Sequence, residues 1–106
     1  MEFVVRVYEV TQKFPREETY GLTAQLRRAS VAIPSNISEG HPQGTKAYLR
    51  YVVIAIGSLA EAETQLEIAR RLRFASDEEL AAIIEFAVHI RRVLHGLRRS
   101  LRKRAP

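Results

Sequence analysis

The chain of 106 residues has no cysteine, no tryptophan, one methionine, four prolines and five glycines. Without cysteine it can hold no disulfide framework, no thiolate zinc site and no cysteine nucleophile. It also lacks a long apolar run, because the longest nearly uncharged stretch, Tyr51–Ala60, is about half of the ~20 residues a membrane span needs. Glu2 stands where a signal peptide needs positive charge, and Arg6 and Glu9 break the apolar run that follows. A soluble, cytoplasmic protein with no membrane partner is expected. The length suits one compact domain over 1–106 and excludes a two-domain enzyme carrying its own cofactor module. Apolar residues are not scarce: 46% hydrophobic against 27% charged is enough to build a core.

Acid is missing from one region only. Residues 1–85 hold ten basic and twelve acidic side chains, whereas residues 86–106 hold Arg91, Arg92, Arg98, Arg99, Arg102, Lys103 and Arg104 and no acid, so the +5 net charge resides at that end. Cations near a helix C-terminus favour the macrodipole, but seven without a counter-charge exceed that need. A cluster of this kind selects a polyanion or an acidic partner.

What is present reads as helix. Phe3, Val4, Val7, Tyr8 and Phe14 recur at helical spacing until Pro15, predicting a helix over about 2–14. Leu22, Leu26, Ala29, Ile33 and Ile37 predict a second over 22–40, with Pro34 inside it expected to kink the backbone. Thr45 is the expected N-cap of a third helix over 45–74, striped by Val52, Ala55, Leu59, Ala62, Leu66 and Ala69. Ser76-Asp77-Glu78-Glu79 reads as a capping box opening a fourth helix over 77–103, in which Leu80, Ile83, Ala87, Ile90, Leu94, Leu97 and Leu101 alternate steps of three and four. That 3.5-residue period predicts lengthwise antiparallel packing of helices three and four. The expected fold is an all-α, antiparallel (up-down) four-helix bundle.

Helix three is apolar on several faces, through Tyr51, Val53, Ile54 and Ile56, which predicts a self-association surface there. Chemistry for catalysis is thin. His89 and His95 are six apart and cannot share a metal face, and Glu85 and His89 lack the three-residue spacing of a di-iron pair. Gly40 and Gly44 do not build a phosphate loop, and the serines lack a nucleophile elbow. Glu63, beside Leu59 and Leu66, is expected to be partly buried and paired with an arginine. No catalytic residue, metal or cofactor is assigned, and no enzyme is expected. The arginines along helix four, with Arg91, Arg98 and Arg102 on one ridge, suit phosphate oxygens, and no base-reading element accompanies them.

Phe14–Gly40, FPREETYGLTAQLRRASVAIPSNISEG, resembles the signature of the four-helix-bundle family found in intervening sequences of bacterial 23S ribosomal RNA. That family also includes the accessory variability determinant (Avd) proteins of diversity-generating retroelements. Ile54–Leu72 is similar to its third helix and HGLRRSLRK to its basic end. The resemblance implies a ring-like homopentamer with a basic surface, RNA or DNA as partner and, in the retroelement setting, a reverse transcriptase and its template RNA. It carries Arg27 and Arg28 over as the family's paired arginines, expected to bind nucleic acid together with the helix-four cations, and Asn36, Glu39 and Gly40 as its helix-two end, the first two as local hydrogen-bonding groups. Two departures are visible. HPQGTKAYLR, after Gly40, lacks the second and third basic residues common in that turn, and helix one is short. The expected function is non-enzymatic nucleic-acid binding as a retroelement accessory. The alternatives are a ribosomal intervening-sequence protein and a protein-docking module.

Overall fold

The computed structural model describes residues 1–105, which form four helices: α1 (Glu2–Thr11), α2 (Leu22–Gly40), α3 (Thr45–Arg71) and α4 (Asp77–Arg104). Short 3-10 turns at Arg16–Glu18 and His41–Gln43 join α1 to α2 and α2 to α3. α2 packs on α1 and α3, and α4 packs on the same two, so α1 and α3 hold opposite corners of an antiparallel bundle. The bundle measures 48 × 23 × 18 Å.

The three apolar stripes meet along its axis. Leu26, Val52, Leu59, Leu66 and Leu80 are fully enclosed, and Phe3, Val7 and Val10 of α1 join the same core. Phe3 meets Phe86 edge to face at 6.1 Å, and Phe14 packs against Phe74 at 5.5 Å. An apolar groove between Val4, Ile33, Ile37, Phe86 and Ile90 lies at the start of α1. α2 runs unbroken through Pro34.

Four helix ends differ from the sequence reading, the smallest change being α4, which runs to Arg104 instead of 103. α1 stops at Thr11, not 14, and Thr11 donates its hydroxyl to the carbonyls of Val7 (2.7 Å) and Tyr8 (3.1 Å). Lys13 and Phe14 then close i→i+3 bonds as the chain turns toward Pro15, which disfavours helical geometry in the residue before it. α3 stops at Arg71, not 74, in a Schellman arrangement: Arg73 sits at φ 59°, Phe74 N–H donates to Ala69 O (3.0 Å), and Arg73 N–H to Arg70 O (3.1 Å). The N-cap of α3 is Gly44, not Thr45, which is already helical. Gly44 takes φ 94°, a backbone state that L side chains rarely adopt, and this reverses the chain. The start of α4 is as read: Ser76 Oγ accepts the Glu79 N–H at 3.1 Å and donates to Glu79 Oε1 at 2.9 Å.

Candidate nucleic-acid interface

The antiparallel register of α3 and α4 is fixed by an ion pair between Arg91 and Glu63, whose side chain is 17% exposed. Counting thirteen residues from that pair in each direction reaches Arg50 on α3 and Arg104 on α4, so both lie about 20 Å away at the same end. The first turns of α3 therefore lie beside the last turns of α4. No acid occurs from residue 40 to 60 or after 85, so apart from the exposed Glu39 in the last turn of α2 the charges at this end are cationic.

Arg92, Arg99, Arg102, Lys103 and Arg104 are exposed on α4, and Lys46 and Arg50 are exposed on α3. Among the described residues, none of these seven cations belongs to a salt bridge; the one side-chain bond among them is Arg104 to Ser100 Oγ at 3.4 Å. Arg98 is half-buried, and its Nε is enclosed without a hydrogen-bond partner. Arg91 belongs to the same ridge by sequence but spends its charge on Glu63. The pairing of Glu63 with an arginine is as the sequence led us to expect.

Arg27 and Arg28 lie elsewhere, in the N-terminal half of α2. Arg27 donates from Nε to Thr11 Oγ1 at 2.8 Å, and its guanidinium stacks 4.6 Å from the Tyr8 ring centre. These contacts lock α1 to α2 and turn the charge toward α1. Arg28 is exposed. Lys46 and Arg50 fall outside the helix-four cluster that the charge pattern points to; the acid-free stretch after Glu39 is the sequence signal for them.

The opposite end has a different character. There Lys13 pairs with Glu79, while Arg70 bridges Glu67 (2.6 Å) and Asp77 (3.4 Å) and Arg71 reaches Glu67 (3.2 Å). Hydrogen bonding by Arg70, then by Arg71, holds the Glu67 carboxyl down at about 2. The Lys13 and Ser76 hydrogen bonds likewise lower that of Glu79. Lys13, Arg70 and Arg71 are matched with acids here, while the exposed Arg16 and Arg73 are in no salt bridge among the described residues, so this end mixes both signs and the cations without nearby acid concentrate at the other end of the 48 Å axis. Among the described residues, no group of three metal-ligating side chains converges, and no helix is long and apolar enough to cross a membrane.

Of the expected association residues, Val53 and Ile54 are 44% and 52% exposed. Tyr51 is half-buried against Gly40, and Ile56 packs partly on the core.

Residues 1–96 match the protein family described as 23S rRNA-intervening sequence protein. A crystal structure from Bacteroides thetaiotaomicron VPI-5482, described as a protein of unknown function from the S23 ribosomal protein family, has the same fold. It superposes with a TM-score of 0.83 at 23% identity, covering 92% of each chain. No curated protein matches the chain.

Proposed function

The chain belongs to the 23S rRNA-intervening sequence protein family, and on that premise we propose that it is a non-enzymatic nucleic-acid-binding protein. It contacts backbone phosphates through the cationic end of α3 and α4. The observation that carries this reading is the set of exposed cations at one end without an acid partner, when Lys13, Arg70 and Arg71 at the other end are paired. A protein gains little by leaving like charges clustered and uncompensated, whereas a polyphosphate supplies the missing counter-charge. Guanidinium forks fit phosphate oxygens two at a time, and contacts of that kind position a backbone without reading sequence.

The family supports a structured RNA of ribosomal origin as the natural ligand over a retroelement template. The more specialised reading places template RNA or cDNA at the same cations beside a reverse transcriptase, and co-purification with such an enzyme would be its distinguishing mark.

The test is fluorescence anisotropy with a structured RNA and a matched DNA duplex, from about 50 to 300 mM salt. Phosphate contacts make log K fall linearly with log salt, with a slope of about −0.9 per contact on a B-form duplex. Changing Arg99, Arg102, Lys103 and Arg104 together to Gln should weaken binding to both ligands and flatten the duplex slope by about 3.6, with the thermal midpoint nearly unchanged. No binding at the lowest salt would overturn the reading and turn the arginines toward an acidic protein surface.

A further inference from the structure

The cationic end is shared by two helices, which narrows the ligand it fits. We propose that it is built for a double-stranded backbone, with Lys46 and Arg50 of α3 holding one strand and the cations of α4 holding the other. The inference rests on the nucleic-acid reading above and goes beyond it by naming two further contact residues and the form of the ligand.

Three observations carry it. First, the cations form two rows. Arg99, Arg102, Lys103 and Arg104 lie in the last six residues of α4, and Lys46 and Arg50 lie one turn apart on the neighbouring helix at the same end. Packed helix axes stand about 8–10 Å apart, close to the ~12 Å width of a B-DNA major groove, a difference that long Lys and Arg side chains can span. Two rows at that separation match phosphates facing each other across a groove. A single strand offers one row.

Second, the stacking platforms that single-strand binding relies on are already engaged at this end. Tyr48 stacks edge-on with His41, with ring centres 5.3 Å apart, and Tyr51 lies half-buried with its Cβ and ring against the Gly40 backbone. The fully exposed Tyr20, at 95%, precedes the N-terminus of α2, away from the cationic end. Proteins that hold single strands gain much of their affinity from bases stacked on aromatic rings.

Third, the distribution of charge along the long axis orients the approach. At the far end Glu67, Asp77 and Glu79 are offset by Arg70, Arg71 and Lys13, so the excess positive charge that attracts phosphate lies at the cationic tip. The cross-section of 23 × 18 Å presents that tip to both strands of a duplex at once.

The experiment compares a labelled RNA hairpin stem, a DNA duplex of equal phosphate number and an unstructured single strand, using wild type and the Lys46→Gln/Arg50→Gln double variant. Both residues are exposed, so a circular-dichroism melt should show the variant folded as wild type. The wild type should bind both duplexes severalfold more tightly than the single strand. The double variant should lose duplex affinity, with the DNA-duplex slope of log K against log salt flattened by about 1.8, equivalent to two phosphates. Its single-strand affinity should change little. A single strand bound as tightly as the duplexes, or a double variant with wild-type duplex binding, would overturn the proposal and leave the nucleic-acid reading standing. Failure of wild type to bind any of the three probes would remove both.

Discussion

Gly40 shows how a single position can govern two helices. A Cβ there would meet Tyr51 Cβ at 2.5 Å, Cγ at 2.8 Å and Cδ2 at 2.9 Å. α2 and α3 therefore approach at a point where only hydrogen fits, and Tyr51 cannot retreat because it is itself half-buried. We expect Gly40→Ala to destabilise the fold by about 1–3 kcal/mol, the usual range for overpacking, seen as a lower denaturant midpoint. An unchanged midpoint would show that the two helices part without cost. The glycine was visible in the sequence as the end of an element, but its neighbour across the interface was not. Other residues were more legible. Glu63 could be assigned an arginine from its place at the edge of an apolar stripe, and Asn36 turns its amide back to the Ala32 carbonyl at 2.7 Å, as a local hydrogen-bonding group. Arg27 was not legible: beside Arg28 it reads as half of a cationic pair, and only the packing of α1 shows it bound to Thr11 and Tyr8.

Among the elements, the long stripes of α2, α3 and α4 were readable because three consistent periods have one geometric solution. The ends were harder. The turn that closes α3 holds Arg73 at φ 59°, a position where glycine is the usual signal and none is present. The corner that follows is tied by charge: Glu67 accepts from Arg70 and Arg71, and Arg70 reaches across to Asp77 at the start of α4. Because the folded state holds Glu67 at about 2, below its ordinary 4.5, it binds fewer protons there than the unfolded chain does. The stabilisation is therefore complete above about pH 4.5 and disappears as pH falls toward 2. Thermal melts across that window should show Glu67→Gln losing less of its midpoint than wild type, with the two curves converging at the acid end. The effect is small, since these side chains are partly exposed and solvent screens them. Parallel curves would mean that the corner is held by the Schellman turn and the Phe14–Phe74 contact alone.

For the molecule as a whole, the placement of α1 and α3 at opposite corners decides which apolar surface is left over. α3 packs on α2 and α4, so its outer side is covered by neither, and Val53, Ile54, Ile68 and Leu72 are all more than 40% exposed there. Apolar exposure spread along one helix of so small a bundle is suited to a protein contact, and we propose a second copy of this chain as the partner. Two substitutions separate that role from core packing. Ile54, half exposed, should tolerate a charge: Ile54→Asp combined with Val53→Asp should keep the helical signal and midpoint close to wild type, yet reduce the mass measured by light scattering to that of a monomer. Ile56→Asp should instead lower the melting midpoint, because it forces a carboxylate against the core on which Ile56 packs. A wild-type mass for the folded Val53→Asp/Ile54→Asp variant would place the contact elsewhere, with the apolar groove beside α1 as the remaining surface able to supply it.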